Sequence, residues 1–150
     1  MLRFYSLRRE PARSLRDGIV YGLAAGLVFA LLENIMTFGG PGAGSAASGW
    51  LRVALATPLH TLLGGLMGYL LVRWRGAGLR GTLAALLAPT AIHFVYDAPV
   101  ILAVAKSGMD LTVEVAVAAV SVSAAIVVAL AWTVFRLFRR AGPEAWPRRS

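Results

Sequence analysis

Four stretches, roughly 18–39, 50–72, 81–105 and 111–135, consist almost wholly of apolar and small residues. Each is about 20 residues or longer, enough for a helix to cross the ~30 Å hydrocarbon layer of a bilayer. Inside lipid the backbone must satisfy its own hydrogen bonds, so such blocks fold as helices. The pattern predicts an all-α, polytopic membrane protein built as a four-helix transmembrane bundle. Composition agrees: hydrophobic residues make up 58% of the chain and mean hydropathy is +0.70. A soluble domain of this length has an apolar share nearer half, spread in short periodic patterns rather than in blocks.

The formal charge of +8 invites comparison with nucleic-acid binders, but its distribution points elsewhere. Arg3, Arg8, Arg9, Arg13 and Arg16 precede the first block, and Arg73, Arg75 and Arg80 separate the second from the third. Arg136, Arg139, Arg140, Arg148 and Arg149 follow the fourth. The connection "GGPGAGSAASG" carries no charge before Arg52, and Lys106 is offset by Asp110 and Glu114. Excess Lys and Arg marks the cytoplasmic side. The expectation is therefore a multi-pass protein of the plasma (inner) membrane with both termini and the middle loop cytoplasmic. Residues 1–17 form a basic N-terminal segment, 18–135 the membrane domain and 136–150 a basic tail. The partner implied is the lipid bilayer with its anionic headgroups, not nucleic acid. Without cysteine the chain has neither a disulfide framework nor thiolate chemistry.

Within the blocks, small residues recur at helical spacing. Gly18, Gly22 and Gly26 lie four apart, followed by Ala30 and then Glu33; in the second block His60, Gly64 and Gly68 repeat the spacing. Small residues in this register let helices approach closely in lipid. The sequence thus places Glu33 at the far end of a close-packing stripe and His60 on another. It also leaves open a homodimer, or a partner chain, through the glycine faces. In the third block His93 and Asp97 are one turn apart on one side of the helix. The fourth block, rich in Ala and Val, reads as scaffold.

Depth shows which polar groups can meet. At about 1.5 Å per residue, Glu33 lies roughly 22 Å from an entry near Gly18, and His60 about 15 Å from Trp50. His93 and Asp97 lie about 18 and 24 Å from Gly81. All four fall between the midplane and the outer leaflet of a ~30 Å core. Ionisable side chains at such depth are costly and point to function. Two imidazoles and two carboxylates could hold a metal such as zinc. Equally, Glu33 could act as general base on a water while the histidines stabilise an oxyanion. A proton or ion relay in a small transporter draws on the same residue types. Taken singly, each group also has a plainer use, with Asp97 satisfying His93 or Glu33 capping a turn. Spacing does not choose among these, and the H-E-x-x-H signature of soluble zinc peptidases is absent.

Three stretches in order, "DGIVYGLAAGLVFALLENIMTF", "LRVALATPLHTLLGGLMGYLL" and "LLAPTAIHFVYDAPV", resemble the latter part of the PrsW family of intramembrane proteases. That family is related to the CAAX prenyl endopeptidase and Abi membrane proteases. The resemblance covers roughly residues 9–103. It implies a peptidase acting on a membrane protein substrate or transmembrane segment. Glu33 and Asn34 match the family's second acidic motif, His60 and His93 its two histidines, Asp97 the residue one turn past the second histidine, and Arg52 a basic residue opening the His60 span. The implied catalytic residues are Glu33, His60 and His93, supported by Asn34, Asp97 and Arg52. The implied metal ligands are Glu33, His60, His93 and Asp97, with zinc the metal expected. The chain departs from the pattern in two respects, the smaller being Thr37 where the family usually has Tyr. The family's first motif, a Glu-Glu pair followed by Lys, has no counterpart, and Glu10 beside Pro11 does not replace it. The departure raises the expectations of a shortened gene product, of a short member working through Glu33, of a chain completed by a partner, and of a non-catalytic relative that retains the pocket.

Overall fold

In the computed structural model, residues 14–38, 46–107 and 113–142 are described, apart from the side chains of 46–49, 51–52 and 100–107. Four long helices account for nearly all of them: α1 (Leu15–Phe38), α2 (Ala46–Arg73), α3 (Gly78–Ser107) and α4 (Val113–Arg140). All four are long and apolar enough to cross a membrane, and no strand occurs among the described residues. The fold is an all-α bundle of four membrane-spanning helices. Most of the expected basic N-terminal segment, the "GGPGAG" connection, Asp110 and the last eight residues lie outside the described residues, as does the side chain of Arg52.

Local chemistry fixes the helix ends. Helix α1 begins before the apolar block because Ser14 and Asp17 form a reciprocal cap. The Asp17 amide donates to Ser14 Oγ at 3.1 Å, and the Ser14 amide donates to Asp17 Oδ2 at 2.9 Å. Together they satisfy two amides that a helix start leaves without partners. Between α2 and α3 the chain turns through one 3₁₀ turn, Arg75–Ala77, and then Gly78 at φ 58°. That left-handed conformation favours glycine. Helix α4 runs past its apolar block to Arg140, its last turns carrying guanidinium groups over aromatic rings. Arg136 lies 5.8 Å from the Trp132 ring centroid and Arg139 5.7 Å from that of Phe135. Rings and cations paired in this way suit the membrane–water boundary.

Arg16 ties the ends of the bundle together. Its Nε donates to the Phe138 carbonyl at 3.3 Å, and its guanidinium lies 5.2 Å from the Phe138 ring centroid. The start of α1 therefore meets the end of α4, and Gly18 meets Gly68 and Val72 near the end of α2. Arg16, Arg73, Arg136 and Arg139 consequently gather at one end of the bundle.

Helix α2 is the central element. It packs against α1, α3 and α4, whereas α1 and α3 do not pack against each other among the described residues. The α1–α2 contact is the tightest. A β-carbon on Gly22 would strike the Gly64 carbonyl oxygen, one on Gly26 the His60 carbonyl, and one on Gly68 the Gly18 carbonyl. These pairs run in opposite chain directions, so the helices are antiparallel with backbone against backbone. Beside this seam a small apolar cluster joins Ile19 of α1, Leu59 and Leu63 of α2, and Leu130 and Val134 of α4. Larger side chains such as Val28, Leu32, Met36, Val128 and Trp132 face outward, the expected surface for a protein solvated by lipid. The Ser121 and Thr133 hydroxyls of α4 donate to carbonyls of their own helix at 2.8 Å. Helix α4 thus needs no polar partner to sit in lipid.

Replacing Gly64 with valine forces branched carbon into backbone, and should destabilise the bundle by at least about 2 kcal/mol, as overpacking does. Gly76, which meets nothing within 4 Å, should accept alanine within about 0.5 kcal/mol. Thermal unfolding of the two variants in detergent checks the contrast.

Candidate functional site

Three helices each bring an ionisable side chain to one layer. Glu33 sits in the next-to-last turn of α1, His60 midway along α2, and His93 midway along α3. Glu33 Oε2 lies 2.6 Å from His60 Nε2. The His60 and His93 rings face one another with centroids 4.8 Å apart and planes tilted by 36°. His93 Nδ1 lies 3.0 Å from Asp97 Oδ2. The order across the bundle is carboxylate, imidazole, imidazole, carboxylate. The depths reckoned along the chain placed these groups in one layer, and here they are in contact or stacked.

Burial falls from the centre outward. His60 is 7% exposed, Glu33 29%, His93 34% and Asp97 42%. His60 forms the floor, and the outer groups flank the gap left where α1 and α3 do not touch. Phe29 closes one side, its ring edge-on to His60 with centroids 5.0 Å apart, and Tyr96 stands edge-on to His93 at 6.3 Å. The carboxylates of Glu33 and Asp97 face His60 Nε2 and His93 Nδ1 as charge partners.

The glycine stripe runs through Gly18, Gly22, Gly26 and Ala30, and both Glu33 and Asn34 continue it onto α2. Asn34 is 8% exposed, and its Nδ2 donates to Thr57 Oγ1 at 2.9 Å. Glu33, one position earlier and about 100° round the helix from Asn34, meets His60 on the same neighbouring helix. Thr57 and Phe29 are the residues that reasoning from sequence missed. Thr57 left one signal, its place one turn before His60 within "TPLHT". Phe29 left none, since an aromatic residue in a membrane helix more often faces lipid.

The donor types suit zinc, but their arrangement does not fit a metal site. Among the described residues no three His, Asp or Glu side chains converge on a position where an ion could be held. Glu33 turns one oxygen to His60, and His93 turns Nδ1 to Asp97.

A polytopic helical protein with paired histidines and carboxylates inside its membrane-spanning region is the class that fold and site define. The family model described as PrsW family intramembrane metalloprotease matches residues 1–135, and the chain belongs to that family. It is 36% identical over 85 residues to Protease PrsW of Bacillus subtilis (strain 168), a match that covers 54% of this chain and 38% of that protein. The chain thus spans well under half the length of this relative. No solved structure matches it.

Truncating Glu33 to alanine removes the carboxylate beside the buried Nε2 of His60, and should cost about 1–3 kcal/mol of stability. Asp97→Asn, in a pair more than a third exposed, should cost under about 1 kcal/mol. Unfolding of both variants in detergent tests this ranking.

Proposed function

We propose that this chain is an intramembrane peptidase that cleaves a membrane protein substrate, with Glu33 activating the attacking water. The observation that carries the reading is the Glu33–His60–His93 row. Three helices bring it together beside a lateral gap, at a depth where unused ionisable groups would be a heavy cost. Membership of the family and the likeness to Protease PrsW support a membrane peptidase, and the role of Glu33 rests on the geometry alone.

The residues divide the chemistry in a definite way. His60 Nε2 abuts the Glu33 carboxylate and orients it, and the carboxylate accepts a proton from water. The resulting hydroxide attacks the carbonyl carbon of a peptide bond presented in the gap between α1 and α3. His93, oriented through Nδ1 by Asp97, stabilises the oxyanion from its other ring nitrogen as it forms. Glu33 then returns its proton to the departing amide nitrogen, as a general base that becomes the acid. A transmembrane segment can approach the gap sideways from lipid, and Asn34 and Asp97 hold the groups beside them.

A second reading, a non-catalytic relative that binds a transmembrane segment in the same gap, draws on one observation: among the described residues the donors do not converge on a metal position.

The test reconstitutes the full chain in liposomes with a panel of tagged single-span membrane proteins. The peptidase reading expects cleavage by the wild type. It also expects loss of cleavage to below about one hundredth in Glu33→Gln, His60→Ala and His93→Ala, with helix content unchanged by circular dichroism. Cleavage carried by Glu33 persists under a chelator. Loss on chelation and recovery with zinc would assign water activation to a metal instead. If the wild type binds a panel member without cutting it, the non-catalytic reading holds.

A further inference from the structure

We propose that Thr57 is a positioning residue for the Glu33–His60 pair: its hydroxyl holds Asn34 and thereby sets the rotation at which the neighbouring Glu33 carboxylate meets His60. The inference deepens the peptidase reading and rests on that pair being the working site.

The end of α1 shows why such a device is needed. As far as Ala30, which is 1% exposed, α1 is held to α2 by backbone contact along the glycine seam. Beyond Ala30 no small residue continues that seam, and Leu31, Leu32, Ile35 and Met36 all face outward with more than half of their surface exposed. Two polar contacts then join α1 to α2. Asn34 donates to Thr57 and Glu33 meets His60. They are adjacent along α1 and one turn apart along α2, so they bracket the same stretch of interface. Glu33 and Asn34 are consecutive, about 100° apart around the helix. Fixing Asn34 against α2 therefore fixes the direction in which Glu33 points. In a low-dielectric interior such a hydrogen bond is strong, and either partner left alone is costly.

The α2 side is also built around Thr57. Pro58 follows it and removes the amide that would otherwise bond the Ala54 carbonyl, which loosens the helix at this turn. The Thr61 hydroxyl, one turn further along α2, donates to the Thr57 carbonyl at 2.8 Å. Thr57 accepts with its hydroxyl from α1 and with its carbonyl from Thr61, and the turn so supported carries His60.

The chain contains two histidines, so the ring nitrogen signals of the full-length protein, labelled on histidine with ¹⁵N in nanodiscs, are assigned with one His93→Ala sample. Thr57→Val keeps the side-chain shape and removes the hydroxyl, whereas Thr57→Ser keeps the hydroxyl. The valine variant is expected to move the His60 ring signals toward those of Glu33→Ala, and the serine variant to leave them at the wild-type position. With a substrate that the wild type cleaves, the valine variant is expected to lose roughly tenfold in kcat with KM unchanged, and serine to restore it. Wild-type His60 signals in the valine variant overturn the proposal, as does an equal displacement in valine and serine. Should Thr57→Val fail to fold, the double variant Asn34→Leu with Thr57→Val leaves no polar group unpaired. It is read in the same way: displaced His60 signals support the proposal, and wild-type signals sink it. A wild type that cleaves no substrate counts against the peptidase reading alone, because the ring signals still decide the role of Thr57.

Discussion

Backbone contact between α1 and α2 is the constraint on which the rest of this molecule depends. In lipid, apolar side chains gain little by leaving the solvent for each other, so helices associate through close packing and hydrogen bonds. Glycine at 18, 22 and 26 facing glycine at 64 and 68, and the His60 carbonyl, brings the two helices together without intervening side chains. The approach fixes both the separation of the helices and their register. Gly26 opposite His60 brings the next two turns of α1, and with them Glu33, within reach of the imidazole. A wider separation would leave the Glu33 side chain short of its partner.

The site inherits its shape from what the other helices do and do not contact. Helix α2 is wrapped by three neighbours, so His60 is buried. Helices α1 and α3 leave a gap, and Glu33, His93 and Asp97 are partly open along it. A peptidase working on a membrane-embedded chain needs both features: a dry floor where electrostatic interactions are strong, and a side entrance from lipid. Helix α4 contributes apolar packing from Leu130 and Val134, and its Ser121 and Thr133 hydroxyls bond within the helix, which suits a supporting role. The Arg16 contact with Phe138 ties it to the start of α1 and places basic groups together at one end.

Much of this was legible along the chain. Four apolar blocks of spanning length can fold in lipid only as helices, and block length with rise per residue put Glu33, His60, His93 and Asp97 at similar depth. The glycine spacing marked the two faces that would meet. Helix ends were less legible, because the Ser14–Asp17 cap and the Arg-on-aromatic turns of α4 depend on side chains outside the apolar pattern. The stripe that carries Glu33 also carries Asn34, whose bond to Thr57 depends on the register of α1 against α2 and leaves no mark in the spacing.

The sequence by itself determined the class of fold, the number of spans, the seam on which α1 and α2 meet and the residue types available for chemistry. These follow from local composition and from helical periodicity, which a single chain displays directly. Only the tertiary structure decided which atoms face which. Glu33 meets His60 rather than Asp97, the two imidazoles stack instead of converging on a common centre, and Thr57 holds Asn34. Such pairings depend on the rotation and register of one helix against another. Those are set by a few ångströms of backbone approach spread over distant positions, and no local pattern along the chain encodes them.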